Sequence, residues 1–228
     1  KNLLILIFQQ RLEMAYRMHC VSEIMESYEF YINMLIENRH YHLIDNMKFL
    51  HLSFEAIYQS ESYVEKQLDS MTTIEKDEKD FIKSISFFHH QRYEDVIEHY
   101  LKSEFVTPDW LSIYLMSLDQ LNDSKNIVKC LQCDETMKTL STSSNYQLIR
   151  HFKYKYLSDK NQLLSYLRRD ILGVKHLSDD FIILEYLVHD ARKLFSKYQY
   201  YKEAVQVTHQ YLPKLKQLNR NPKSINTN

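Results

Sequence analysis

The chain has 228 residues, of which 44% are hydrophobic and 26% are charged, and its formal net charge is −1. This balance is typical of a folded globular protein, and it offers no basic surface for binding nucleic acid. The sequence has one glycine and three prolines, which argues against folds that need glycine at tight turns or phosphate loops. The predicted fold class is therefore all-α, with short polar corners between helices.

Apolar residues recur every three or four positions along the chain, which predicts a succession of helices. No segment alternates with period two for long, so no strand is predicted. Acidic residues are favourable near a helix N-terminus, so the charged stretch TTIEKDEKD predicts another helix start. The helices predicted before this start cover residues 3–18, 22–38 and 43–58, and a segment from Ser60 or Ser62 to about Met71, with Ser22 as a candidate cap.

The three cysteines, Cys20, Cys130 and Cys133, occur without a secretory signal, which predicts a reducing, cytoplasmic location. The apolar run LLILIF near the start has six residues and is far shorter than a membrane span, so no membrane contact is predicted. The chain begins at Lys1 rather than at methionine, which favours a fragment with a further domain upstream.

The stretch FFHHQRYEDVIEHYL, residues 87–101, raises two alternatives because it combines three histidines with three acids. A structural metal site usually needs four ligands at fixed spacings, whereas His89 and His90 are adjacent and point to different faces of a helix. The other interpretation places both histidines at the end of one helix, where a cation complements the helix dipole, and the acids at the start of the next. This helix-end interpretation is favoured, and no metal or other cofactor is predicted.

The same stretch also belongs to a repeating pattern. An aromatic or leucine residue stands nine positions before the start of a residue pair that is mainly apolar, and we call it the lead residue. The pairs begin at 63, 96, 127, 163 and 204, with gaps of 33, 31, 36 and 41 residues, which is a period typical of two-helix repeats. The lead residues are Phe54, Phe87, Leu118, Tyr154 and Phe195.

The segment ARKLFSKYQYYKEAVQVTHQYL, residues 191–212, resembles a tetratricopeptide repeat, although Arg192 stands where the repeat usually has glycine. The whole chain resembles the sensor domain of cytoplasmic peptide-pheromone receptors of the Rgg/PlcR/Rap (RRNPP) type. This resemblance implies a right-handed superhelix of about five to six antiparallel helix pairs over residues 1–218. The polar composition of residues 219–228 predicts a disordered tail. The resemblance also implies an N-terminal helix-turn-helix effector domain upstream of Lys1, through which alone the protein would contact DNA.

In stacked repeats the first helix of each pair lines the concave surface, where apolar pockets and spaced polar groups suit an extended peptide. Each residue assigned to this surface has an alternative role in packing between repeats. The predicted peptide-binding residues are Phe49, Leu52, Ile82, Ile85, His89, Ile113, Met116, Gln120, Asn145, Ile149, Phe152, Tyr156 and Lys193.

Catalytic patterns are weak. The CLQC motif, residues 130–133, falls near the end of a second repeat helix rather than at the helix N-terminus that a redox centre needs. No GxSxG or HExxH motif occurs, so an enzyme is not predicted.

The predicted function is therefore a peptide-sensing regulatory domain of a bacterial transcriptional regulator, which binds a short signalling peptide in its concave groove. The alternative is a helical-repeat adaptor that docks a partner protein and has no peptide ligand. A homodimer through the terminal helices is expected because the apolar segments LLILIF and YLVHDARKLF need cover.

Overall fold

The computed structural model describes residues 2–17, 20–71, 74–104, 107–133, 145–175, 177–178 and 180–218. These ranges contain helices and no strand, so the predicted all-α class is confirmed. The predicted polar tail, 219–228, lies outside the described residues. The helices are α1 (Asn2–Arg17), α2 (Val21–Glu37), α3 (Tyr41–Glu55), α4 (Glu61–Ser70), α5 (Lys76–His89), α6 (Tyr93–Lys102), α7 (Pro108–Gln120), α8 (Ser124–Leu131), α9 (Tyr146–Leu157), α10 (Lys160–Tyr166), α11 (Phe181–Lys197) and α12 (Tyr201–Leu218).

The chain divides into two compact units. Unit 1 comprises Lys1–Val106 with Leu218–Asn228, and it contains helices α1 to α6. Unit 2 comprises Thr107–Gln217, and it contains helices α7 to α11 and almost all of α12. Helices α5 and α6, α7 and α8, α9 and α10, and α11 and α12 are each joined by connections of two or three residues.

Short polar side chains fix several helix starts. The Ser60 hydroxyl accepts a hydrogen bond from the backbone N–H of Tyr63 at 3.4 Å, which makes Ser60 the N-cap of α4. The charged stretch TTIEKDEKD leads into α5 through a capping box between Glu75 and Glu78. Ser22, a predicted cap, instead lies inside α2, which begins at Val21 after Cys20.

Four corners between consecutive helices have the same backbone geometry. In each, the residue four positions after a buried residue near the end of the preceding helix adopts a positive φ of about 60°, and the next N–H donates to the carbonyl of that buried residue. Glycine usually occupies this left-handed position, yet none of the four is glycine. The left-handed residues are Arg39, Gln91, Asn122 and Gln199, which follow Leu35, Phe87, Leu118 and Phe195.

The repeat frame, meaning the lead residues and the residue pairs that follow them, agrees with the burial of these residues. Phe54, Phe87, Leu118 and Phe195 are buried, and Tyr154 is half-buried with its ring stacked 4.5 Å from that of Tyr166. In the last four repeats, the residue nine positions after the lead residue is also buried. In the first repeat, the buried residue comes ten positions after the lead residue. The buried partners are Val64, Val96, Ile127, Leu163 and Ala204.

The glycine of the chain lies at a close approach of the backbone. Helix α10 continues as a short π-helical segment, Leu167–Leu172, which ends at Gly173. A Cβ atom on Gly173 would lie 2.5 Å from the carbonyl oxygen of Arg169 and 3.2 Å from that of Arg168. Glycine is therefore needed here for space rather than for an unusual φ.

Candidate functional site

Most of the predicted groove residues are buried in this structure. Their side chains have at most 5% of their surface exposed, so they pack between helices, which was the alternative role assigned to each of them. An opening of the helix pairs would be needed before a ligand reached them. The buried residues are Leu52, Ile82, Ile85, Ile113, Met116, Asn145, Ile149 and Phe152.

Asn145 shows why a buried polar residue is easily mistaken for a ligand contact. Its side-chain amide donates to the Pro108 carbonyl at 3.1 Å, to Asp109 Oδ1 at 3.1 Å and to Ser112 Oγ at 2.7 Å. These partners all belong to the first turns of α7. The amide that was predicted to bond a peptide backbone thus joins α7 to the residue preceding α9.

The remaining predicted residues are more accessible. Phe49, Gln120 and Tyr156 are half-buried, and Lys193 is exposed. His89 is also half-buried, but its Nε2 atom is buried and has no hydrogen-bond partner among the described residues. Burial, followed by the neighbouring charge of His90, lowers the pKa of His89 to about 4.

The helix-end interpretation of the histidines therefore needs one correction. His89 is the last residue of α5 and His90 follows it as the C-cap, as predicted. However, with its lowered pKa, His89 is neutral at pH 7, so it does not complement the helix dipole as a cation.

The CLQC motif also lies where the sequence predicts. Cys130 is in the last turn of α8, and Cys133 lies just beyond the helix and is exposed. Burial raises the pKa of the half-buried Cys130 thiol, which works against the thiolate form that redox chemistry requires. Among the described residues, no three His, Cys, Asp or Glu side chains are grouped so that they could hold a metal ion.

Unit 1 contains a cleft of about 370 Å³, bounded by α2, α3, α4 and the residue that follows α4. Such a volume falls within the range of small-ligand sites. The cleft has aromatic, apolar and charged walls, and α3, the first helix of its pair, supplies half of them. The lining residues are Tyr28, Asp45, Lys48, His51, Leu52, Glu55, Tyr63, Gln67, Ser70 and Met71.

His51 is fixed at the inner wall of this cleft by two tyrosines. Its Nδ1 atom lies 2.8 Å from the hydroxyl of Tyr16, and its ring stacks on that of Tyr28 with centroids 4.0 Å apart. Burial lowers the pKa of His51 to about 4. The imidazole is therefore uncharged at neutral pH and acts as a flat, polar wall.

Glu55 lies one helical turn after His51 and carries the negative charge of the inner wall. The Tyr63 hydroxyl lies 3.1 Å from Oε1 and 3.2 Å from Oε2 and donates to this carboxylate, while His51 Nε2 lies 3.8 Å from Oε1. Burial raises the pKa of Glu55, and the hydrogen bond from Tyr63 partly opposes that rise. The ion pairs of the described residues give Glu55 no partner other than His51, which is neutral.

Unit 2 contains a second polar centre, which is closed rather than open. The Lys155 ammonium on α9 lies 2.6 Å from Asp119 Oδ1 on α7 and 2.9 Å from both oxygens of Asp190 on α11. His151 Nε2 lies 2.7 Å from Asp190 Oδ2. The hydroxyls of Tyr156 and Tyr186 donate to the two oxygens of Asp119.

Ion pairs and hydrogen bonds within this second centre favour the ionised form of Asp190. Burial alone would raise the pKa of Asp190, but the hydrogen bonds and charges of His151 and Lys155 hold it well below its usual range. Both aspartates are buried, and Lys155 is 15% exposed. The centre is therefore a closed ion-pair link between three first helices.

The two centres occupy equivalent places in the repeat frame. His51 and His151 each precede their lead residue, Phe54 and Tyr154, by three positions. The residue one position after the lead is Glu55 in unit 1, and in unit 2 it is a lysine. Sequence reasoning missed His51 and Glu55, although their spacing of four residues on a first helix is a readable signal.

No protein-family model, curated protein or solved structure matches this chain. What the chain does is therefore inferred from its own residues. Among the described helices, none combines the length and the apolar character needed to cross a bilayer.

Proposed function

We propose that the chain is the peptide-sensing part of a bacterial transcriptional regulator, built as a right-handed superhelix of helix pairs. The observation that carries this proposal is the 370 Å³ cleft of unit 1, half of whose lining residues come from the first helix of a pair. The recurring corners, with the same backbone hydrogen bond after each buried residue, support the repeat architecture on which the proposal depends.

The walls of the cleft suit a peptide. Met71 offers apolar contact, while Gln67 and Ser70 carry groups that can donate to and accept from a peptide backbone. The charged residues Asp45, Lys48 and Glu55 give the cleft the means to select side chains. A peptide bound here would contact α3 and α4 together and would fix the angle between them.

Such a fixed angle is the proposed route to regulation. A ligand that favours one packing of the helix pairs shifts the population of that packing, and this shift would pass to a dimer partner or to a DNA-binding domain beyond this chain. The dimer part of the proposal rests on α1, where Leu3 is 71% exposed and Leu6 and Ile7 are more than half exposed. The other expected dimer segment, YLVHDARKLF, has its large apolar side chains buried already, so it needs no partner to cover it.

The test is selection from a display library of random heptapeptides, followed by calorimetry with the synthesised hits. A Gln67→Trp variant places a large side chain in the cleft, and Lys66→Trp, at an exposed position of the same helix, is the matched control. We expect hits that bind the wild type and the control but lose affinity for Gln67→Trp. A library that yields no binder, or hits that bind all three proteins equally, would contradict the proposal.

The alternative function, an adaptor that docks a partner protein, is favoured by one observation. Leu3, Leu6, Ile7 and Phe30, on α1 and α2, each expose more than half of their side chains. If Leu6→Gln and Ile7→Gln together abolish capture of a partner while Gln67→Trp has no effect, the adaptor function is supported and the peptide function is not.

A further inference from the structure

The unit 1 cleft has more negative than positive charge. Asp45 and Glu55 contribute two carboxylates to its lining, and Lys48 contributes one ammonium. His51 adds no charge at neutral pH, since burial holds its pKa near 4. Glu55, whose ion-pair partner among the described residues is the neutral His51, therefore favours a ligand that brings a positive charge.

The aromatic rings of the cleft favour the same kind of ligand. Tyr28 and Tyr63 both line it, and the face of an aromatic ring attracts organic cations. His51 covers one face of Tyr28, so a cation would approach the other face of that ring. The Tyr63 hydroxyl already donates to Glu55, which orients the carboxylate while leaving acceptor capacity on both oxygens. The Glu55 side chain is 21% exposed, so a group within the cleft can reach it.

Unit 2 has an ammonium at the equivalent position of the repeat frame. Lys155 inserts its own ammonium between the carboxylates of Asp119 and Asp190, and its nitrogen lies 5.5 Å from the centroid of the Tyr156 ring. The corresponding position in unit 1 is Glu55, one residue after the lead Phe54, so that unit presents a carboxylate and a cleft instead of a lysine.

We propose that the unit 1 cleft binds an organic cation, an ammonium or guanidinium group, which pairs with Glu55 beside the rings of Tyr28 and Tyr63. This inference rests on the proposed function, since it names the chemistry of the ligand for the same cleft. The cation belongs either to a peptide, as a lysine or arginine side chain or an N-terminal amine, or to a free amine. The recognition chemistry is the same in each case.

The experiment measures binding of three cationic probes and one neutral probe to the whole chain by NMR titration. The cationic probes are cadaverine, Nα-acetyl-lysine methylamide and Nα-acetyl-arginine methylamide, and the neutral probe is Nα-acetyl-norleucine methylamide. We expect at least one cationic probe to bind about tenfold or more tightly than the norleucine derivative, because it gains a charge-assisted hydrogen bond. A preference for cadaverine would identify a free amine, and a preference for an amino-acid derivative would identify a side chain.

Matched variants locate the cation within the cleft. Glu55→Gln keeps the shape of the side chain and removes its charge, so it should weaken the cationic probe about tenfold. Glu65→Gln removes the same charge from an exposed position of α4 outside the lining, so it should leave binding unchanged. Lys48→Met removes the competing ammonium and should strengthen binding. Circular dichroism and the melting temperature establish that each variant is folded. Asp45→Asn provides a second charge deletion if Glu55→Gln does not fold.

The outcomes separate this inference from the proposed function. If the heptapeptide hits bind equally well after every lysine and arginine is replaced by norleucine and the N-terminus is acetylated, the cation inference is overturned and the peptide function stands. If cadaverine binds in a Glu55-dependent manner and the peptide library yields no binder, the cation inference stands and the peptide function fails. Equal weakening by Glu55→Gln and Glu65→Gln would also overturn the inference, because it would show a general charge effect.

Discussion

The Lys155 ammonium lies 2.9 Å from each carboxylate oxygen of Asp190, although 35 residues separate them. The same nitrogen lies 2.6 Å from Asp119, so one cation pairs with two buried acids on two other helices. Lys155→Met should therefore destabilise unit 2 by about 3 to 5 kcal/mol, because it leaves two carboxylates buried without their cation. Urea denaturation measures this loss.

The control for that substitution is Lys153→Met, two residues earlier on α9 and exposed, which should change the free energy of unfolding by less than about 0.5 kcal/mol. Adding Asp119→Asn and Asp190→Asn to Lys155→Met should recover part of the loss, since the buried charges are then gone. Equal effects of the two lysine substitutions would show that the network adds nothing to stability.

At the left-handed corners, substitution by glycine is expected to increase the stability of the protein. Gln91 and Gln199 have φ values of 61° and 66°, a region in which a side chain is strained. Gln91→Gly and Gln199→Gly should each stabilise the protein by about 0.5 to 1 kcal/mol, because relief of this strain exceeds the entropy that glycine loses. Asn122→Gly should gain less, since asparagine tolerates this conformation better. Thermal melting of the three variants should rank them in this way, and a loss of stability at both glutamines would contradict the corner geometry.

Substitution of Gly173 is expected to lower the stability of the protein. Gly173→Ala places a Cβ within 2.5 Å of the Arg169 carbonyl oxygen, and the backbone has to move to relieve the clash. We expect destabilisation by about 1 to 3 kcal/mol, as for other overpacked sites. Lys175→Ala, at an exposed position two residues later, is the control, and urea denaturation of both variants gives the comparison. An unchanged midpoint for Gly173→Ala would mean that the π-helical turn can relax without cost.

His89 predicts a stability that falls in mild acid. Its pKa is about 4 in the folded protein and 6.5 for an unperturbed histidine, so the unfolded chain binds more protons between these pH values. The contribution of His89 is fully present above pH 6.5 and is lost as the pH falls toward 4, at up to about 1.4 kcal/mol per pH unit. His89→Gln should flatten the dependence of the urea midpoint on pH in this window. The exposed His42→Gln is the control, and equal slopes in all three proteins would contradict the burial of the His89 ring.

Asn145 is expected to matter for stability before it matters for binding. Asn145→Ala removes the buried amide that donates to Pro108, Asp109 and the buried Ser112 hydroxyl, which should cost about 1 to 3 kcal/mol. Asn161→Ala, at an exposed asparagine in the first turn of α10, should cost much less. If Asn145→Ala were as stable as the wild type, the hydrogen bonds of the Asn145 amide would add nothing to stability. The Asn145 amide would then be available for a ligand.

The sequence predicts the helices and their frame well because both depend on local information. The spacing of lead residue and buried partner reports one apolar stripe on each helix, and at Phe87 and Val96 the structure has both side chains buried as expected. The first repeat departs by one position because Val64, rather than Tyr63, enters the core. The Tyr63 hydroxyl is then available to bond Glu55.

The site could not be predicted equally well, because periodicity identifies an apolar face without telling what covers it. Ile113 and Phe152 have the spacing of groove residues, but neighbouring helices cover them. The partners of Lys155 are 35 and 36 residues away on other helices, and no local pattern relates them. The cleft around His51 also depends on the placement of α4 against α3, which one sequence alone does not specify.

The four corners with a left-handed residue have almost no sequence in common. They read IENRH, FHHQR, DQLND and SKYQY, yet each closes with the same hydrogen bond to the carbonyl of a buried residue. The buried residue, and not the corner itself, therefore determines where the chain reverses. Corners of this kind should be interchangeable within the chain: a protein in which FHHQR is replaced by SKYQY should still fold. A repeat protein of this kind can change its sequence at every corner while its helices keep the same arrangement. Sequence comparison will then fail to detect the repeat.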